Sequence, residues 1–265
     1  MYNVFQIALK YFYYYVTASN GKGHGVHSPF IFQFIKKVLN DKDQYPAYEK
    51  VEGLRKNLSK DKRIIEVEDF GAGSSVLNTN RRNIAAIASA SVKSKKYGQL
   101  LFRMVNFYEP QNILELGTSL GITTSYLAFA NPVSKIMTIE GAKELLQIAK
   151  NNFEELHISN IDAVEGNFDD TLDDVIEKMP AIDFAFIDGN HKKSSTLNYF
   201  GKILAKTNSN SILVFDDIHW SREMEEAWEV IKQHSSVRCS LDLFFLGIIF
   251  FNDVFREKQH FHIRF

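Results

Sequence analysis

Cysteine is almost missing from this chain. One residue in 265, Cys239, excludes an internal disulfide and a thiolate zinc cluster. It falls in a stretch that reads as a strand, where a lone thiol is most simply a small buried side chain. No apolar run reaches the roughly 18 residues of a transmembrane helix, so stable membrane insertion is not expected. Met1 to Val16 lacks a basic start and a small-residue cleavage site, which argues against a signal peptide and makes the cytoplasm the expected location. Neither sign of charge dominates: 31 Lys and Arg face 32 Asp and Glu, for a net charge of −1. There is no basic surplus to neutralise a phosphate backbone, so nucleic acid is not an expected partner. No internal repeat or low-complexity tract occurs.

What remains is an ordinary globular composition, 45% apolar and 24% charged, enough for a full core. From Asn112 onward, short apolar runs alternate with amphipathic stretches. Strands are expected at Ile113–Gly117, Ile136–Glu140, Ile161–Glu165, Ile182–Asp188 and Ile212–Asp217. Helices are expected at Ile122–Ala130, Ala142–Leu156, Thr171–Met179, Lys193–Lys206 and Arg222–His234. Such alternation builds a parallel sheet with right-handed crossovers and helices on both faces. Val237–Leu246 and Gly247–Phe251 follow each other almost without a gap, as an antiparallel hairpin does. The tail, His260 to Phe265, reads as a short extra strand or a surface segment. Residues 1–91 stand apart as a helical extension, residues 92–256 form the core domain, and 257–265 the tail. The extension begins with an aromatic helix (about 2–17), then Gly21 to Phe30, a second helix (about 30–40), a charged region (Asp41 to Glu68) and the turn Asp69-Phe-Gly-Ala-Gly73. The stripe Phe5, Leu9, Phe12 and Val16 has helical spacing and reads as core or homodimer packing rather than a lipid contact.

The richest segment is Asn112-Ile-Leu-Glu-Leu-Gly117-Thr-Ser-Leu-Gly121-Ile-Thr-Thr-Ser. A buried strand here turns through glycines into a helix, which leaves backbone N–H groups aimed at an open crevice suited to a nucleotide-like ligand. Twenty-three residues past Gly117, Glu140 ends the next strand, where a carboxylate can accept hydrogen bonds from ribose hydroxyls. The full G-x-G-x-x-G pattern is absent, so a dinucleotide is not the first choice. Asp69–Gly73 is a rival loop, but no good helix start or strand-plus-acid unit follows it.

This combination resembles the class I S-adenosylmethionine-dependent methyltransferases, and within them the small-molecule O-methyltransferase branch of catechol O-methyltransferase type, over roughly Val92 to Asp253. The resemblance implies an α/β doubly wound, mostly parallel seven-stranded sheet closed by an antiparallel C-terminal hairpin. It implies a cofactor, S-adenosyl-L-methionine, held by Glu115, Gly117, Thr118, Ser119 and Gly121, by Glu140 at the ribose, by Gly141, Glu165, Gly166, Asn167 and Phe168 at the adenine, and by Asp188. It also implies that Asp188, Asp216 and Asp217 hold Mg²⁺ or another divalent cation, although Asp217 stands where the family has Asn. Three clustered carboxylates repel unless a cation or protons compensate them, and oxygen ligands suit hard cations.

His191 stands where catechol-type enzymes place a lysine. An imidazole can take a hydroxyl proton at neutral pH, which makes His191, beside Asp188, the first general-base candidate and His219 the second. Trp220 suits stacking on adenine, on an aromatic acceptor, or in the core. His24 and His27 fit a glycine-rich loop over the site better than a metal. The expected reaction is methyl transfer to an oxygen of a small hydroxylated molecule. Two alternatives stay open: an NAD-dependent oxidoreductase, and an inactive methyltransferase-like module that binds a nucleoside or a protein.

Overall fold

The computed structural model describes residues 1–19, 21–23, 26–67, 81–90 and 94–265. The Asp69–Gly73 turn and His24 therefore lie outside the described residues. The chain opens with α1 (Val4–Thr17), α2 (Pro29–Phe34, prolonged by a π turn, Ile35–Leu39) and α3 (Pro46–Leu58). A small antiparallel pair follows, β1 (Ile64–Glu66) with β2 (Arg81–Asn83), then α4 (Ile84–Ala90) and α5 (Lys95–Tyr108). The alternating part runs β3 (Asn112–Leu116), α6 (Ile122–Ala130), β4 (Lys135–Glu140), α7 (Lys143–Glu155), β5 (Ile161–Glu165) and α8 (Phe168–Lys178). It continues as β6 (Phe184–Ile187), α9 (Lys193–Leu204), β7 (Ile212–Asp216) and α10 (Arg222–Gln233). The chain ends with β8 (Cys239–Asp242), β9 (Leu246–Phe250) and β10 (Gln259–His262).

The chain divides into two compact units, Lys42–Lys178 and Met1–Asp41 with Met179–Phe265. The segment expected as one extension is thus shared between them.

In the unit Lys42–Lys178, β3, β4 and β5 are parallel, with Leu116 beside Ile139 and Glu140 beside Glu165. This register brings the acid-bearing tips to one end. Ile136, Met137, Thr138 and Ile139 are all buried, as a strand covered on both faces requires. The region expected only as charged holds α3, which is amphipathic and buries Tyr48, Val51, Leu54 and Leu58. Tyr126 on α6 donates to Glu52 of α3 at 2.7 Å. Gly98 of α5 makes room for it, since a Cβ there would lie 2.7 Å from the Tyr126 ring.

In the other unit the strand order is β10-β8-β9-β7-β6. β6 and β7 are parallel, while β9 runs antiparallel to both β7 and β8, which gives the expected hairpin. The tail adds β10 parallel to β8, so β3 to β10 make eight strands where seven were expected. Cys239 is buried in β8, as its lone apolar setting suggested. α1 opens with a capping box between Asn3 and Gln6. Its inner face sets Tyr11 and Tyr14 against Phe244. Its outer face corrects the core reading of the stripe: Phe5, Leu9, Phe12 and Val16 are each more than half exposed. Phe30 and Phe34 of α2 pack edge-on against Phe250.

Candidate functional site

After β3 the backbone coils through three residues of positive φ, Gly117 (102°), Ser119 (49°) and Gly121 (77°). Ser119 has no glycine-like freedom there, and strain of this kind collects at ligand clamps. The N–H groups of Gly117 and Thr118 both point to Ile139 O of β4, and Gly121 N–H closes the turn onto Thr118 O at 2.8 Å. Glu140 fixes the rest. Its Oε2 accepts from Ser119 N–H at 2.8 Å and its Oε1 from Ala142 N–H at 2.9 Å. A carboxylate accepts at about four lone-pair sites, so holding the loop does not prevent it from accepting ribose hydroxyls.

Two of the glycines have a packing reason. A Cβ on Gly121 would lie 2.5 Å from Phe153 Cε1 of α7, and one on Gly166 would collide with Thr171 of α8. Asn167 caps α8: its Oδ1 accepts from Asp169 N–H at 3.2 Å and its main-chain O from Thr171 N–H at 3.0 Å. Glu165 is exposed, Gly141 and Phe168 half-buried.

Glu115 is fully buried on β3. Its Oε2 accepts from Thr124 Oγ1 at 2.5 Å and Thr138 Oγ1 at 2.7 Å, while its Oε1 has no hydrogen-bond partner among the described residues. Burial pushes its pKa up to about 7, the two threonines pull it down, and nearby Glu140 adds to the rise. An orphaned carboxyl oxygen beside a strained loop fits a hydrogen-bond-donating ligand such as the amino-acid end of an adenosyl donor.

The folded protein therefore keeps the Glu115 proton up to about pH 7, whereas the unfolded chain loses it near 4.5. Between these values the native state binds more protons, so unfolding free energy should fall as pH rises, by on the order of 3 kcal/mol. Denaturant titrations across this window should show the fall, and Glu115→Gln should flatten it.

In the other unit, Asp188 follows β6, Asp216 ends β7, and Asp188, His191 and Asp216 offer ligand atoms all within 4.8 Å of one another. His191 Nε2 lies 3.6 Å from Asp188 Oδ1. Asn190 and His191 both have positive φ, 65° and 42°, so this short loop too is held against its backbone preference. The expected carboxylate trio is not the one the structure groups. Asp217 sits at positive φ, 52°, its N–H donating to Phe245 O at 2.7 Å, and the donor atoms that cluster with Asp188 and Asp216 are those of His191. The Trp220 ring sits 5.5 Å from the His191 ring.

His219 has a different part from the one expected. Its Nδ1 lies 3.0 Å from Glu225 Oε1 and its Nε2 2.8 Å from Asp242 Oδ2. Burial opposes charge on the ring, but the two carboxylates outweigh it and hold its pKa above the usual value. With both ring nitrogens engaged by carboxylates, His219 presents no open nitrogen to a substrate hydroxyl.

Glu225 also takes Lys10 Nζ at 2.9 Å and Tyr2 Oη at 2.8 Å, so this cluster ties α1 down. Sequence reasoning missed Tyr2, Lys10, Glu225 and Asp242. Tyr2 and Glu225 lie 223 residues apart, and no local pattern signals such a pairing. Beside the cluster is a cavity of about 660 Å³ lined by Lys10, Tyr13, Tyr14, His219, Asp242 and Phe244 among others.

Residues 114–218 match a family described as "Methyltransferase domain". Among solved structures, the S-adenosylhomocysteine-bound methyltransferase PaMTH1 of Podospora anserina aligns with a TM-score of 0.58 at 12% identity, covering 94% of this chain and 96% of its own. The O-methyltransferase TomG of Streptomyces achromogenes, involved in tomaymycin synthesis and solved with S-adenosylmethionine, aligns at 0.57 and 17%, covering 79% and 91%. A Bacillus cereus O-methyltransferase in complex with S-adenosylhomocysteine gives 0.55 and 19%, covering 83% and 97%. At these identities the likeness speaks for the fold, which is the doubly wound one expected.

Proposed function

We propose, with the methyltransferase domain of residues 114–218 as premise, that the chain transfers the methyl group of S-adenosylmethionine to an oxygen of a small hydroxylated molecule in the cytoplasm. The family match over residues 114–218 and the fold support dependence on S-adenosylmethionine. The acceptor, its oxygen and the residues that serve them are the proposal. One observation carries the cofactor half: the loop of positive φ between Gly117 and Gly121 is clasped by a carboxylate from the tip of the neighbouring strand.

S-adenosylmethionine, when bound, supplies a methyl group on a sulfonium, open to in-line attack by an oxygen. The chain's part is to bind, orient and deprotonate. Glu140 holds the loop and accepts ribose hydroxyls. Glu115 offers its unpaired Oε1 to the amino-acid end. His191, whose Nε2 lies 3.6 Å from Asp188, takes the acceptor's proton. Positioning supplies much of the rest.

The grouping of Asp188, His191 and Asp216 favours a second reading of the same residues. As a mixed oxygen and nitrogen donor set they would hold a divalent cation, which would acidify the bound hydroxyl. His191 cannot ligate and act as base at once. A panel of hydroxylated acceptors, assayed with and without a chelator, separates the two. If His191 is the base, His191→Ala should lower kcat by about 10²-fold or more, the scale of a lost general base, and chelator should have no effect. A loss with chelator and with Asp216→Ala, restored by Mg²⁺ in the unmodified protein, would mark the metal reading. No methyl transfer to any oxygen or nitrogen acceptor would overturn both.

A further inference from the structure

We propose that the outer face of α1 seats this protein on an anionic lipid surface, a role independent of which acceptor is methylated. The face is apolar and open. Phe5, Leu9, Phe12 and Val16 lie at helical spacing and are 71%, 54%, 68% and 62% exposed, with Val4 and Tyr13 beside them at 85% and 71%. A contiguous apolar patch of this kind is often a functional contact surface.

The opposite face of α1 is fixed. Tyr2 and Lys10 reach Glu225, and Tyr11 and Tyr14 pack on Phe244. The outer stripe is therefore presented on a rigid mount and cannot roll inward to bury itself. It is rich in aromatic rings, which favour the headgroup level of a bilayer.

Charge selects the occupant. Residues 1–40 contain no Asp or Glu and four lysines, the first acid being Asp41. Lys22, Lys36 and Lys37 are exposed. Arg264 lies 5.2 Å over the Tyr15 ring of α1, and its main-chain N–H bonds Ser19 O just past the helix. Asn40, at the end of the α2 π turn, bonds Gly21 O, which draws the lysine-bearing turn to the same end of α1. An apolar helix face with cations gathered toward its C-terminal end matches the interfacial helices that adsorb to anionic bilayers.

A second copy of the chain is the rival occupant, and area disfavours it. A helix of 14 residues is about 21 Å long and about 10 Å across, so one face offers a few hundred Å². A specific dimer needs about 800 Å² per partner. A bilayer needs no matching surface. No helix among the described residues is long and apolar enough to cross a membrane, so the contact is peripheral.

The test is co-sedimentation of the full chain with phosphatidylcholine vesicles, with and without phosphatidylglycerol. Binding should require the anionic lipid, weaken as salt rises, and drop by about tenfold or more in Phe5→Ser/Phe12→Ser. Both residues are exposed, so the melting temperature should hold. Lys22→Glu/Arg264→Glu should remove the preference for anionic lipid. No binding to either vesicle, or equal binding to both, would overturn the proposal. So would a dimer by light scattering that the double serine variant dissociates, since the stripe would then be a protein interface.

Discussion

Glu140→Ala should weaken S-adenosylhomocysteine binding by more than about tenfold, the scale of a lost charged hydrogen bond. The side chain has two duties at once. Its Oε2 holds Ser119 N–H at 2.8 Å and its Oε1 holds Ala142 N–H at 2.9 Å. Removing the carboxylate frees a residue at φ 49°, a conformation a serine does not keep unaided. The loop should relax, and the cost in affinity should exceed that of the ribose contact alone. Glu140→Gln keeps one acceptor oxygen and loses the charge, so it should fall between alanine and the native residue. Isothermal titration calorimetry of the three proteins checks the order. Glu140 is only half-buried, so its loss should cost far less stability than affinity. Unchanged affinity in the alanine variant would remove Glu140 from the ligand.

Gly121→Val should destabilise the fold by about 2–5 kcal/mol. The backbone there has φ 77°, and a Cβ would lie 2.5 Å and 2.8 Å from Phe153 ring atoms and 3.2 Å from Ala149 Cβ. A left-handed conformation costs a side-chain-bearing residue roughly 1–2 kcal/mol, and overpacking a filled interior adds about 1–3 kcal/mol. For a chain of this size the melting temperature should drop by roughly 5–15 °C. Gly53 supplies the contrast. It lies inside α3 with nothing within 4 Å of a Cβ, so Gly53→Ala should hold or raise stability by up to about 1 kcal/mol. Phe153→Leu should recover part of the Gly121→Val loss, because the ring is what the new side chain meets. Equal melting temperatures for the position 121 and position 53 variants would contradict the packing account of Gly121.

The alternating half of the fold was legible because its signals are local. Ile122–Ala130 and Ile161–Glu165 occur as expected, to the residue, since apolar runs there end in turn residues and acids. The helix at Pro46–Leu58 was not seen, because its buried residues are scattered among many charges and only the amphipathic spacing betrays it. The helix at Lys95–Tyr108 precedes the motif, outside the alternation of apolar runs that begins at Asn112.

At the site, the acids at the strand tips were legible, but not what each one touches. Gly121 and Gly166 look like ligand glycines in sequence, and only the positions of Phe153 and Thr171 reveal their packing duty. His219 looked like a base because its partners, Glu225 and Asp242, are set by tertiary structure. Asp217 looked like a third carboxylate ligand because sequence does not show that the backbone bends there through positive φ.

A crystal structure of the chain with S-adenosylhomocysteine tests the central claim most directly. The account predicts the adenosyl group over the Gly117–Gly121 loop, with its ribose hydroxyls on Glu140. Density for the ligand anywhere else, or a crystal that takes up NADH in that loop and excludes S-adenosylhomocysteine, would contradict it.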